Sequence, residues 1–171
     1  MSVYLLVIFY SFFCFSRETF ELYQPSRDRQ FLCSILKEHA AHLLDVIPLE
    51  EALTELEDSS QLSILKLENI PIGFINYCIF NKTLLGFPLY QYGFINGIAV
   101  ASNYQKMGYG KKLVQYCINE LEKDFFPYVR LQVKSDNQAA IGFYCHLGFK
   151  KIEPSVYRNS IEYYQFELQL R

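Results

Sequence analysis

A glycine-bearing loop before a helix is the first sign of chemistry in this chain. The stretch QKMGYGKKLV, from Gln105 to Val114, places Gly108 and Gly110 directly before an apolar pattern with helical spacing. Free backbone N–H groups and the positive end of the helix dipole meet at such an N-terminus, and glycine lets an anion approach the backbone. The stretch predicts a phosphate-binding loop, although it is also typical of a tight turn beside solvated lysines.

The spacing excludes two common phosphate loops. A dinucleotide-binding GxGxxG pattern would need a glycine where the chain has Leu113. A GxxxxGK[ST] loop would need serine or threonine after Gly110 and Lys111, where the chain has Lys112. The spacing therefore matches neither of these two classes, and the loop has to be interpreted together with a second motif.

A second motif lies in the stretch SDNQAAIGFYCHLGFKK. Alternating apolar residues at Val129, Leu131 and Val133 predict a strand just before it. The letters SDN are typical of a helix N-cap, and Gly148 is typical of the end of that helix. This motif therefore also stands where a strand leads into a helix.

Together the two motifs resemble the GCN5-related N-acetyltransferase family, over roughly residues 94–151. Their patterns are Q-x-x-G-x-G and N-x-x-A-x-x-x-Y-x-x-x-G-F. The matching residues are Gln105, Gly108, Gly110, Asn137, Ala140, Tyr144, Gly148 and Phe149. The resemblance implies an α/β (mixed α+β) fold, with a twisted, mostly antiparallel sheet whose splayed central strands are flanked by helices. It also implies an N-acyltransferase that passes the acetyl group of acetyl-CoA directly to a primary amine.

The resemblance further implies which residues hold acetyl-CoA. The pyrophosphate would lie on the loop amides, and the pantetheine arm would pair like an added strand with the preceding strand. Asn137 would reach the cofactor, Ala140 and Phe143 would pack against it, and Gly97 would mark the bulge that opens the sheet. The implied loop residues are Gln105, Lys106, Met107, Gly108, Tyr109, Gly110 and Lys111, and the implied strand residues are Ile98, Ala99 and Val100. The resemblance implies no metal.

Tyr144 is the residue that the resemblance assigns to catalysis and to contact with the cofactor. When an amine attacks a thioester, the departing CoA thiolate needs a proton or a strong hydrogen bond, and a phenol can supply either. The chain has fourteen tyrosines, and without the motif Tyr144 would be interpreted as a buried core residue whose hydroxyl has a hydrogen-bond partner. The position of Tyr144 in the second motif favours the catalytic role.

The sequence offers no obvious general base. Many members of the family carry a glutamate on one of the splayed strands, but the corresponding positions here are Asn96 and Gln132, whose amides cannot serve as bases. One alternative is water ordered by Tyr90, Tyr92, Asn96 or Gln132. Another is an acceptor such as an α-amine, which has a pKa of about 7.7 to 8.0.

Two other functions are consistent with parts of the sequence. Cys145 and His146 suggest a cysteine hydrolase, but neighbours on a helix point about 100° apart and cannot form a catalytic pair with each other. The stronger alternative is a catalytically silent acetyltransferase-like domain that binds acyl-CoA or a protein partner. The missing carboxylate favours this alternative, whereas Tyr144 opposes it.

The rest of the chain predicts the elements that position these motifs. The sequence predicts a hydrophobic extension at residues 1–17 and a single acetyltransferase-like domain at residues 18–171. A helix is predicted through FLCSILKEHAAHLL and a second from Pro48, followed by a hairpin of LSILKLE and FINYCIF and a connecting loop at 81–91. These helices, this loop and the last strands, from residue 156 onward, would surround the acceptor, whose identity no motif reveals.

Residues 3–15 are almost entirely apolar. They are too few to span a bilayer, and they lack the basic start and the cleavage site of a signal peptide. They are consistent with an extra buried strand, with a start codon upstream of the true one, or with weak contact to a membrane or partner.

Composition limits the partners and the compartment. The net charge of −2, with charges of both signs interspersed, predicts no nucleic-acid partner. Five cysteines without a CxxC pair predict reduced thiols and a cytoplasmic location. The oligomeric state and the length of the acyl group stay open.

Overall fold

The fold is that of a computed structural model, which describes residues 17–39, 48–58, 61–85 and 87–171. Its strands are β1 Glu18–Leu22, β2 Gln61–Leu67, β3 Ile70–Leu84, β4 Phe87–Val100, β5 Tyr128–Lys134, β6 Lys150–Arg158 and β7 Ile161–Gln169. Its helices are α1 Pro25–Glu38, α2 Leu49–Asp58, α3 Tyr109–Lys123 and α4 Gln138–His146, with a short 3₁₀ turn at Ser102–Tyr104.

One sheet joins the described strands in the order β1-β2-β3-β4-β5-β7-β6. Neighbouring strands are antiparallel except β4 and β5, which run parallel. The parallel pairing ends at Ile95 and Leu131, although β4 continues to Val100 and β5 to Lys134. The two central strands separate beyond this point, which confirms the predicted mostly antiparallel sheet with splayed central strands.

A β-bulge in β4 accompanies the separation. Tyr77 of β3 pairs with Ile95, but Asn76 pairs with Gly97, so Asn96 is an extra residue in β4. A bulge of this kind bends its strand and increases the local twist. The predicted bulge beside Gly97 is therefore confirmed, and it lies at the point where the two central strands part.

Helices cover both faces of the sheet. Leu113, Val114 and Leu121 of α3 are buried on one face, whereas α1 and α2 bury leucines against Phe74 on the other. Gly93 of β4 allows α3 to come close, since a Cβ there would lie 2.3 Å from a methyl group of Leu121. This packing fixes the helix whose N-terminus carries the first motif.

Residues 81–91 belong largely to strands, so the predicted connecting loop is wrong. β3 and β4 form one long hairpin, in which Asn81 pairs with Gln91. Contacts between aromatic rings across the two strands stabilise it, and the centroids of Phe80 and Tyr92 lie 5.1 Å apart. Glycine and proline in this stretch are typical of loops, but pairing satisfies the backbone of the residues around them.

Other predicted elements have mixed outcomes. The helix through FLCSILKE, which begins at Pro25, the helix after Pro48 and the hairpin of LSILKLE and FINYCIF are confirmed. The apolar segment 3–15, and the part of FLCSILKEHAAHLL from residue 40 onward, lie outside the described residues. In the part of the chain that the structure describes, no helix is long and apolar enough to cross a membrane.

A buried carboxylate holds α1 to the edge of the sheet. Asp28 is 1% exposed and accepts hydrogen bonds from the Arg27 guanidinium at 2.7 Å and from the Gln24 backbone N–H at 3.0 Å. The Lys66 ammonium lies 3.7 Å from the Asp28 carboxylate and 2.9 Å from that of Glu21. Burial alone would raise the pKa of Asp28, but the bonds from Arg27 and Gln24 and the charge of Lys66 outweigh it and lower the pKa.

We expect the substitution Asp28→Asn to lower the free energy of unfolding by about 3 kcal/mol near neutral pH, because buried Lys66 loses a counter-charge. Since the folded-state pKa is lowered, the carboxylate stabilises the fold above its unfolded pKa, and this contribution is lost as the pH falls through the folded value. Urea unfolding at neutral pH, and at the lowest pH where the wild type stays folded, measures both effects.

The cost of Asp28→Asn should shrink in acid, because the wild-type carboxylate then becomes neutral as well. Asp124→Asn, which changes an exposed carboxylate at the end of α3, is the control and should alter unfolding little at either pH. An equal cost of Asp28→Asn at both pH values would contradict this explanation.

Candidate active site

A cavity of about 790 Å³ opens where β4 and β5 separate. Its walls come from both strands, from α1 and α2, from α4, and from the β6–β7 hairpin. Seven residues that the sequence singled out for the site line it: Asn96, Gly97, Ile98, Gln132, Asn137, Ala140 and Tyr144. Two further lining residues that matter below are Glu55 and Phe94.

The first motif forms the loop that leads into α3. Gly108 has a φ of +87° and caps the helix, and Lys106 is also left-handed, with a φ of +60°. The first N–H groups of α3 have no partner within the helix and are available to an anion. Gly110 lets α4 come close to this loop, since a Cβ there would lie 3.4 Å from the ring of Phe143.

Gln105 ties this loop to the end of β4. Its side-chain amide donates a hydrogen bond to the carbonyl oxygen of Val100 at 3.1 Å. His39, at the end of α1, places Nε2 3.0 Å from the same oxygen, and Glu38 accepts a hydrogen bond from the Ser102 N–H at 2.7 Å. The side chain of Gln105 thus positions the loop, while the loop's backbone provides the anion-binding groups.

The last residues of β4 present a backbone edge to the cavity. The Ala101 N–H donates to the carbonyl of Ile72 on β3 at 2.9 Å, and backbone groups alternate sides along a strand, so those of Ala99 also face β3. Those of Ile98 and Val100 face the opening beside β5. Of the three predicted strand residues, Ile98 therefore offers its backbone N–H and carbonyl to a pantetheine arm, and Val100 offers its N–H, because the Val100 carbonyl already accepts from Gln105. The backbone groups of Ala99 are turned toward β3.

The second motif brings α4 to the cavity. The Asn137 side chain caps α4 by accepting a hydrogen bond from the Ala140 N–H at 3.0 Å, and both residues line the cavity. Phe143 packs behind them, against Gly110. The sequence therefore identified three residues that the structure brings together, while their contact with a cofactor stays a prediction.

Tyr144 is buried in the cavity wall. It is 6% exposed, and its ring meets those of Phe143 and Phe149 edge-to-face, with centroids 5.0 and 5.6 Å away. Burial raises the pKa of the Tyr144 phenol, and Cys117 adds to the increase. The hydroxyl stays protonated at neutral pH and can donate a hydrogen bond, whereas full proton transfer to a thiolate with a pKa of about 8.5 is uphill.

The two positions considered for a general base carry amides in different surroundings. Asn96 donates a hydrogen bond to Asn76 Oδ1 at 3.0 Å, and its own oxygen lies 3.7 Å from the sulfur of Cys78. Gln132 Oε1 is buried without a hydrogen-bond partner among the described residues. An unsatisfied buried acceptor costs free energy, so a ligand that brings a donor to Gln132 would be favoured.

A carboxylate that the sequence did not single out also faces the cavity. Glu55 belongs to α2, lines the cavity and is exposed to solvent. Its context, LEEALTELED, is typical of an amphipathic surface helix, so only the packing of α2 over the sheet indicates a role. Tyr90 and Tyr92, considered for ordering water, are absent from the described cavity lining.

The geometry gives no support to a cysteine hydrolase. Cys145 and His146 are exposed on α4 and are not among the described residues that line the cavity. In the ranges that the structure describes, no group of His, Cys, Asp and Glu side chains could hold a metal ion.

Comparison with known proteins identifies the family. A profile of the acetyltransferase (GNAT) family matches residues 15–149. The chain belongs to the GNAT family. The resemblance inferred from the two motifs is thereby confirmed, and both motifs of this GNAT protein lie within the matched residues.

This GNAT protein also resembles two curated acetyltransferases over part of their length. It is 42% identical to the alanine N-acetyltransferase of ribosomal protein bS18 from Escherichia coli (strain K12) over 62 residues, 36% of this chain and 40% of that protein. It is 32% identical to N-alpha-acetyltransferase 30 of Saccharomyces cerevisiae over 85 residues, 50% of this chain and 46% of that protein. Both matches thus span less than half of the relative.

A solved structure supports the fold of this GNAT protein. The crystal structure of Ard1 from Thermoplasma volcanium has a TM-score of 0.73 at 21% identity, covering 90% of this chain and 98% of that one. At this identity the likeness shows the fold alone. It confirms the predicted mixed α+β architecture.

We expect Tyr144→Phe in this GNAT protein to lower kcat about 100-fold, because the leaving thiolate loses its hydrogen-bond donor. The affinity for acetyl-CoA should stay within about twofold, because the ring is retained. Because the pKa of Tyr144 is raised, wild-type activity should show no loss from phenol ionisation up to about pH 10. Steady-state kinetics and calorimetry measure these effects.

Tyr77→Phe is the matched control, since Tyr77 is 4% exposed in the same core but is not among the described residues that line the cavity. It should leave kcat unchanged. A Tyr144→Phe variant with wild-type kcat would exclude the donor role.

Proposed function

We propose that this protein transfers the acetyl group of acetyl-CoA to the α-amine of a protein or peptide N-terminus. The observation that carries the proposal is the arrangement of three groups along the open end of β4, which leads from the cavity to the glycine loop. The glycine loop supplies N–H groups for a pyrophosphate, Ile98 and Val100 supply a strand edge for pantetheine, and Tyr144 supplies a phenol. This combination fits a thioester of CoA better than it fits a free phosphate or a nucleotide.

The residues present suggest how the reaction proceeds. The acceptor nitrogen attacks the thioester carbon, the C–S bond breaks, and the sulfur leaves as a thiolate that accepts a hydrogen bond from Tyr144. The nitrogen loses one proton, which passes through water or to a carboxylate at the cavity. Acetyl-CoA supplies the activated acyl group, and the chain supplies orientation and the hydrogen-bond donor.

The missing strand carboxylate favours an α-amine as the acceptor. With a pKa of about 7.7 to 8.0, roughly one α-amine in ten is neutral at pH 7, against fewer than one lysine amine in a thousand. An α-amine therefore needs much less help from a base than a lysine does. The two curated relatives, one of them an N-alpha-acetyltransferase by name, support the same choice.

Glu55 is the group that we assign to the acceptor amine. It lies on α2, where it can attract the protonated amine into the cavity and take up its proton.

The described cysteines, Cys33, Cys78, Cys117 and Cys145, are free thiols, which fits the reducing cytoplasm that we propose as the compartment.

Acetyl transfer to two peptides tests the proposed function. One peptide has a free α-amine and no lysine, and the other has a blocked N-terminus and one internal lysine. The first should gain one acetyl group in the mass spectrum, with equimolar release of CoA, and the second should react at least about tenfold more slowly because of its higher pKa. Binding of acetyl-CoA without reaction of either peptide would instead support the catalytically silent alternative.

We expect Glu55→Gln to lower kcat/KM for the α-amine peptide about tenfold, the size of one lost carboxylate–ammonium contact. Glu51→Gln removes the same charge from α2 at an exposed position that is not among the described cavity residues, and should have little effect. The pH dependence of kcat/KM for both variants separates a base from a binding group. Equal losses in the two variants would mean that Glu55 acts only through general electrostatics.

A further inference from the structure

A row of aromatic side chains leads outward from the cavity along the β3–β4 hairpin. This aromatic row consists of Phe80, Tyr90, Tyr92 and Phe94. The ring of Phe80 stacks on Tyr92 with centroids 5.1 Å apart and meets Phe94 edge-on at 6.1 Å. Tyr90 lies 5.9 Å from Tyr92. Because Phe94 lines the cavity, the row begins inside the candidate active site.

The aromatic row lies on the face of the sheet opposite α3. Gly93 faces α3, as its close approach to Leu121 demonstrates. Side chains alternate along a strand, so Tyr92 and Phe94 point to the other face. This is the face covered by α1 and α2, from which Glu55 reaches the cavity. The row therefore starts on the side proposed for the acceptor.

Part of the aromatic row is open to solvent. Phe80 is 40% exposed and Tyr90 is 43% exposed. Arg130 lies over Tyr92, with Cζ 4.4 Å from the ring centroid, and donates a hydrogen bond to Glu167 at 2.7 Å, which fixes the middle of the row. Apolar area left in water on an ordered surface is typical of a binding site.

We propose that the aromatic row binds the acceptor peptide beyond its first residues, an inference that rests on the proposed function. Between Phe94 and Tyr90, β4 advances about 13 Å, the length of about four extended residues. A peptide whose terminal amine reaches the cavity would place its residues from about the third to the seventh on the row, with apolar side chains against Phe80 and Tyr90. A small amine would occupy the cavity alone, so the row would not raise its binding affinity.

Two peptides of different length test the proposal. A tripeptide and a heptapeptide share their first three residues, and the heptapeptide carries leucines at its remaining positions. With the wild-type protein and saturating acetyl-CoA, the heptapeptide should have a KM about tenfold lower than that of the tripeptide, at similar kcat. The double variant Phe80→Ser/Tyr90→Ser should abolish most of this difference while leaving kcat/KM for the tripeptide unchanged.

The hairpin offers a matched control outside the aromatic row. Ile79 and Leu89 are 39% and 55% exposed and directly precede Phe80 and Tyr90 in the chain. The double variant Ile79→Ser/Leu89→Ser should keep the full advantage of the heptapeptide. Unfolding curves check that both double variants are folded. Equal KM values for the two peptides in the wild type, or the same loss in both double variants, would overturn the proposal.

Calorimetry with the heptapeptide and CoA separates this proposal from the proposed function. Binding that the Phe80→Ser/Tyr90→Ser variant loses, without any acetyl transfer in the wild type, would refute the activity and support the aromatic row as a peptide site. Transfer without dependence on the row would support the activity alone. If neither transfer nor binding occurs, both the activity and the peptide site are refuted.

Self-association is the alternative role of the aromatic row. If the protein forms a dimer that only the Phe80→Ser/Tyr90→Ser variant dissociates, and peptide length has no effect, the row serves self-association and the proposal is overturned.

Discussion

The end of the pairing between β4 and β5 is the constraint on which the site depends. Backbone N–H and C=O groups inside a protein must find partners, and two neighbouring strands normally supply them to each other. Here the parallel pairing stops at Ile95 and Leu131, just where the extra residue Asn96 bends β4. The backbone groups of Ile98 and the N–H of Val100 are thus left on the side that faces away from β3, where a ligand with amide groups can satisfy them. The bulge therefore opens the cleft and also leaves backbone groups that an extended ligand can pair with.

Close packing brings the remaining groups to this cleft. Gly93 lets α3 lie tightly on β4, Gln105 holds the following loop to the Val100 carbonyl, and Gly110 lets Phe143 of α4 approach that loop. Each contact fixes one element against another, so the helix N-terminus and the second motif stay at the edge of the open strand. Preorganisation of this kind lowers the entropic cost of binding a long, flexible cosubstrate.

The electrostatics of the cavity are unequal on its two sides. The donor side holds a buried phenol, Tyr144, whose raised pKa keeps it protonated. The side proposed for the acceptor has amides at Asn96 and Gln132, and among the described lining residues only solvent-exposed Glu55 carries a carboxylate. With the proposed roles, such a site would stabilise a leaving thiolate well but would do little to deprotonate a strongly basic amine. The proposed acceptor fits this site in two ways. An α-amine needs little help from a base, and the rest of an extended peptide can reach the aromatic row outside the cavity.

The sequence by itself determined the two motifs, their strand-to-helix setting and the place of Tyr144 within the second motif, because these depend on short-range spacing and on where the backbone requires glycine or a cap. It also determined the mixed sheet, through the resemblance that those motifs carry. It missed the strands at 81–91 and the cavity position of Glu55, and it could not distinguish Ala99 from Ile98 and Val100. Those features depend on which strand pairs with which and on how α2 packs across the sheet. Only contacts between residues distant in the chain decide them, so only the tertiary structure revealed them.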